Sequence, residues 1–139
     1  MDHNSIIDRE TFEVFGHAED YPKAFICDKR IAPAVALLNK KGYKTLASCS
    51  AHYRLEWNEQ DRTTTYIAFD KDYKFDTLPE GFEKNISSDG KVCIDRFIML
   101  CENGKLRDRF EFERELDNTC QKLYEWVENL PVNKERNDE

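Results

Sequence analysis

The sequence predicts an α+β domain: a mixed sheet of about four to five strands containing one strand–helix–strand unit, with a long C-terminal helix packed on the sheet. Three observations lead there. Helical spacing over residues 30–41 stands between two short runs suited to strands. Residues 63–70, Thr-Thr-Thr-Tyr-Ile-Ala-Phe-Asp, are dense in β-branched and aromatic side chains. Residues 109–130 carry apolar side chains at nearly heptad positions.

Taken in order, residues 11–15 alternate and suit an edge strand, and residues 23–27 form a short apolar run suited to a buried one. Asp28 follows at a position fit for helix capping. In the helix over 30–41, Ile31, Ala34, Val35 and Leu38 share one face. Pro33 falls in the first turn, where a missing N–H does least harm, and Lys40 and Lys41 complement the dipole in the last turn before Gly42. Residues 43–49 read as a strand. Tyr53, Leu55 and Trp57 alternate, so extended chain is expected to continue to a turn near 58–61. Residues 71–81 read as a polar loop, and residues 92–100 as a strand of a hairpin closing at Asn103-Gly104. In the last helix Phe112, Leu116, Cys120, Leu123, Val127 and Leu130 make a stripe. It suits the sheet, although the same stripe is able to pair two copies into a homodimer. Pro131 stops the helix, so one domain over 1–130 is expected, followed by a flexible polar tail over 131–139.

Composition narrows the function classes. The chain has 139 residues, of which 40% are hydrophobic, enough for one core. Its 28 acids and 21 bases give a net charge of −7, which provides no general attraction to nucleic acid or to anionic membranes, so neither is expected as a direct partner. No apolar run approaches the roughly 18 residues of a membrane span. The first ten residues, MDHNSIIDRE, lack the basic and apolar regions of a secretory signal. The five cysteines, Cys27, Cys49, Cys93, Cys101 and Cys120, are odd in number and include no CxxC pair, so free thiols in a cytoplasmic setting are expected. Cys49 and His52 make a CxxH half-site that Cys27 is able to join in space. No fourth ligand is evident, and no metal is assigned from sequence.

The strand–helix–strand unit suggests a site. If both strands share one sheet, the crossover makes them parallel and puts their C-terminal ends on one edge, where α/β sheets bind ligands. Two polar segments then meet, residues 27–30 and residues 48–52. Ser48, Cys49 and Ser50, with their backbone N–H groups, suit an anion. Arg30 would neutralise it, with Lys29 and Arg54 nearby, and His52 would orient it by hydrogen bonding. If the protein is an enzyme, His52 is the candidate acid–base group and Cys49 the candidate nucleophile.

Residues 31–52, IAPAVALLNKKGYKTLASCSAH, resemble small bacterial and phage proteins with a helix ending LLN-x-KGYKT and a strand ending SCSGH. The segment, about 22 residues of the 139, is also similar to the wybutosine-synthesising tRNA methyltransferase-like family. There a helix and strand run into a Thr-Ser-Ser-Cys-Ser-Gly-Arg loop. Ser48, Cys49 and Ser50 match Ser-Cys-Ser, whereas Ala51 replaces the glycine and His52 the arginine. That resemblance implies S-adenosylmethionine and a tRNA guanosine derivative as ligands.

The reading adopted is a small cytoplasmic binding or regulatory domain that holds an anionic small ligand or a peptide at the loop over 48–52, with no cofactor. One alternative is a phage-encoded acidic inhibitor of a nucleic-acid-processing or defence enzyme, using acidic residues around 56–61 and a protein partner. The other is a tRNA-modifying, methyltransferase-like enzyme, the one case in which S-adenosylmethionine is the cofactor.

Overall fold

The computed structural model describes residues 11–15, 24–53, 61–88 and 90–133, with side chains left out for 11–15 and 24–27. In chain order the elements are β1 (Thr11–Phe15), β2 (Ala24–Asp28), α1 (Ala32–Lys40), β3 (Thr45–Cys49), β4 (Arg62–Phe69), β5 (Glu83–Ile86), β6 (Val92–Met99), β7 (Cys101–Glu102), β8 (Lys105–Leu106) and α2 (Arg109–Asn129). The fold is α+β, as expected, and the long C-terminal helix packs on the sheet. The alternating run expected through Leu55 and Trp57, Arg54 and the tail beyond residue 133 lie outside the described residues.

The strand pairing differs from the expectation. The β2–α1–β3 order is present, but β2 and β3 are not partners in one sheet. β2 pairs antiparallel with β1, from Thr11↔Asp28 to Phe15↔Ala24. β3 is an edge of an antiparallel four-stranded sheet in the order β3-β4-β6-β5. Local closure explains the choice, because β1–β2 and β3–β4 each join consecutive strands, which antiparallel pairing allows without a helical crossover.

Burial alternates along β4, where Thr63, Thr65, Ile67 and Phe69 face inward. Ile67 and Phe69 join Ile94 of β6, Ile31, Val35 and Leu38 around α1, and Leu123 and Val127 of α2 in the larger core cluster. A smaller cluster gathers Ala51, Ile98, Leu100, Phe112, Leu116 and Cys120. The α2 stripe is therefore buried in the chain's own core. The loop over 71–81 is less polar in its contacts than in its composition. Tyr73 and Phe75 pack their rings on Tyr43 and Phe69, and Phe75 also meets Trp126 at 5.1 Å between centroids.

The two helices are closed differently. α1 begins at Ala32 with Pro33 in its first turn, and no side chain caps it, so Asp28 does not serve there. Asp108 caps α2 by accepting from the Glu111 N–H at 3.1 Å. At the other end of α2 the Lys41 ammonium donates to the carbonyls of Val127, Glu128 and Leu130. Tyr43 donates its hydroxyl proton to the Pro131 carbonyl, and the Asn133 N–H donates to the Lys41 carbonyl at 2.7 Å. The first residues of the expected tail are thus bound back onto the turn after α1. No described helix is long and apolar enough to cross a membrane.

Candidate functional site

The ends of β2 and β3 do meet, and the residue that joins them is Asp28. Its carboxylate is buried, with 1% of the residue exposed. The oxygen Oδ2 accepts from the Ser50 backbone N–H at 3.0 Å and lies 3.1 Å from Ser50 Oγ and 3.2 Å from His52 Nε2. Cys49 completes the group. One ligand atom each from Asp28, Cys49 and His52 lies within 4.8 Å of the others.

Local structure explains why three residues of one short segment, Cys49, Ser50 and His52, converge. β3 ends at Cys49, so strand alternation stops there. The chain then turns through Ala51, whose φ of 77° lies in the left-handed region. An L-residue with a Cβ pays about 1–2 kcal/mol for that conformation. Glycine would adopt it freely. The turn is held from β4 by two threonines on the inner face. Thr65 Oγ1 donates to the Ser50 carbonyl at 3.1 Å, and Thr63 Oγ1 accepts from the His52 N–H at 3.4 Å. Tyr66 sits opposite Cys49 in the β3–β4 register. Burial, with the Cys49 and Cys93 thiols and the Asp28 carboxylate nearby, raises the Tyr66 phenol above its usual range.

The expected residues divide into two groups. Cys49, Ser50 and His52 come together around Asp28. Arg30 does not join them: its guanidinium pairs with Glu113, and its Nε lies 2.9 Å from Asp117 on α2. Those two carboxylates draw the side chain toward α2 and away from the loop. Ser48 stays within β3, half-buried and opposite Ile67. Lys29 is exposed, and the Cys27 side chain is outside those described. Sequence reasoning missed Asp28 as a site residue, along with Thr63 and Thr65. The threonines carried a signal, since they interrupt an inward series that continues with Ile67 and Phe69.

The chemistry of the cluster follows from its donors and its closure. Only 9% of the His52 side chain is exposed, and Cys49 and Ser50 are buried. A groove between α1 and α2, lined by Arg30, Pro33, Asp117, Cys120 and Tyr124 among others, does not include Cys49, Ser50 or His52. A carboxylate, a thiol and an imidazole in one closed place suit a cation of ionic size better than a nucleotide or peptide. No family model matches the chain, and neither the curated proteins nor the solved structures offer a match.

Proposed function

We propose that this chain is a small binding domain whose seat is the junction of β2 and β3, and that the seat takes a divalent cation. The observation that carries this reading is the convergence of ligand atoms from Asp28, Cys49 and His52 within 4.8 Å. The anion expected from the serine-rich loop fits less well. It would sit against the Asp28 carboxylate, while Arg30, the residue to neutralise it, is engaged with Glu113 and Asp117. Burial also supports a ligand of ionic size, because Asp28, Cys49 and Ser50 are all closed off.

A thermal-shift comparison tests this. Chelator-treated protein is melted with a panel of divalent cations and, separately, with inorganic phosphate and nucleotides. A specific ligand present at about 100 times its Kd stabilises by about 2.7 kcal/mol, which such a melt registers. The expected result is a rise in Tm with at least one cation and none with the anions. A rise with phosphate or a nucleotide, and none with any cation, would return the site to the anion reading.

A further inference from the structure

Resting on the cation reading, we infer that the ligand is a borderline transition metal of the zinc class, held by the Cys49 thiolate, the His52 imidazole and the Asp28 carboxylate. Donor chemistry separates this class from the alternatives. Calcium and magnesium favour all-oxygen shells, whereas a sulfur and a nitrogen ligand together favour zinc or cobalt. Ligand distances of about 2.0–2.3 Å to a tetrahedral ion set neighbouring donor atoms roughly 3.3–3.7 Å apart. Asp28 Oδ2 and His52 Nε2 are already 3.2 Å apart. Cys49 lies within 4.8 Å of both, so only a modest side-chain adjustment is needed.

The surroundings resemble those of a supported metal centre. Ser50 donates to Asp28 Oδ2 through its backbone N–H and places its hydroxyl 3.1 Å away, fixing the carboxylate as outer hydrogen bonds fix metal ligands. Thr63 and Thr65 hold the segment between two of the ligands from the opposite strand. On binding, the sulfur–metal bond forms as the Cys49 thiol proton leaves to solvent. The imidazole nitrogen then bonds the metal in place of its contact with Asp28. Three protein ligands leave a fourth position for water, the pattern of zinc sites that bind or activate a further molecule.

Cobalt(II) tests the inference on the full chain, because thiolate ligation gives a sulfur-to-cobalt charge-transfer band and tetrahedral geometry gives intense visible bands. Both are expected to appear at one equivalent and to be displaced by zinc. C49S should lose the charge-transfer band while C93S keeps it. S50A should bind cobalt about 10–100-fold more weakly. In case C49S fails to fold, X-ray absorption at the zinc edge of the unaltered, zinc-loaded protein provides the same information: one sulfur ligand at about 2.3 Å is expected. Stabilisation by a cation without a charge-transfer band or a sulfur ligand overturns the thiolate centre and leaves the cation reading standing. No stabilisation by any cation overturns both.

Discussion

Ser50 reaches Asp28, 22 positions earlier in the chain, with both its backbone N–H and its hydroxyl directed to the same carboxylate oxygen, at 3.0 and 3.1 Å. These contacts tie the end of β3 to the end of β2, two strands that share no ladder. Ser50→Ala retains the backbone bond and should cost about 1–2 kcal/mol. Asp28→Ala removes the acceptor and leaves buried donors behind, so it should cost about 3 kcal/mol or more. Urea unfolding of both variants, in the presence of chelator, checks the order. Equal losses would mean that the carboxylate contributes no more than one neutral hydrogen bond.

The strained turn at Ala51 makes a second prediction. Ala51→Gly relieves the left-handed conformation but loses a buried methyl and loosens the unfolded chain, so its stability should stay within about 1 kcal/mol of the parent. Ala51→Val adds a β-branched side chain to the same φ and should cost about 2 kcal/mol or more. Equal melting temperatures for the two variants would contradict a left-handed residue 51.

Lys41 closes α2 from a distance, donating to Val127 and Glu128 at 2.8 Å each and to Leu130 at 2.6 Å. These carbonyls lie at the negative end of the helix dipole, and of the three Val127 also accepts from the Leu130 N–H. Lys41→Met keeps most of the stem and removes the charge, so it should destabilise by about 1–2 kcal/mol. Hydrogen exchange should accelerate most over the last turn of α2. Loss of protection spread evenly over the helix would argue against a capping role.

Two thiols should be inert in the folded chain. Burial pushes Cys120 up to about 12, and burial with Asp95 nearby pushes Cys93 up to about 11. The thiolate is the nucleophile, so at pH 8 native Cys120 should alkylate at least about 100-fold more slowly than in the unfolded chain. The linkage has a definite sign. The stability associated with Cys120 is complete below pH 9, where the unfolded thiol is still protonated, and declines as pH rises toward 12. Cys120→Ala should flatten the alkaline part of the stability profile.

Asp72 titrates in the opposite direction. Its carboxylate accepts from the Lys74 N–H at 2.9 Å and from the Lys84 ammonium at 3.0 Å, which lower it from 3.8 to about 2. Its contribution is therefore present above pH 3.8 and is lost as pH falls through about 2. A carbon-detected NMR titration should give a midpoint near 2, and Lys84→Met should raise it. An unchanged midpoint in that variant would exclude the ammonium as a cause.

Elements that bury one face over several turns were legible in the sequence. α1, β4 and α2 each repeat apolar residues at the period of their own backbone, and the structure retains Ile31, Val35 and Leu38, then Ile67 and Phe69, then Phe112, Leu116, Leu123 and Val127 as buried positions. β5 was not legible, because all four of its residues are exposed and leave no alternation to read. The aromatic residues of the loop over 71–81 were hidden for a related reason: they pack without any period.

The candidate site was half legible. The spacing of Cys49 and His52 is local, so residue order alone brings them close. Asp28 and Arg30 had to be placed by contacts that span the chain, 22 positions to Ser50 in one case and 83 to Glu113 in the other. Which strand β2 pairs with, and whether Arg30 turns to the loop or to the carboxylates of α2, depends on packing and charge between distant segments. Residue order carries the periodicity that makes a helix or strand, but it does not carry the neighbour that each exposed edge and each charged tip will find.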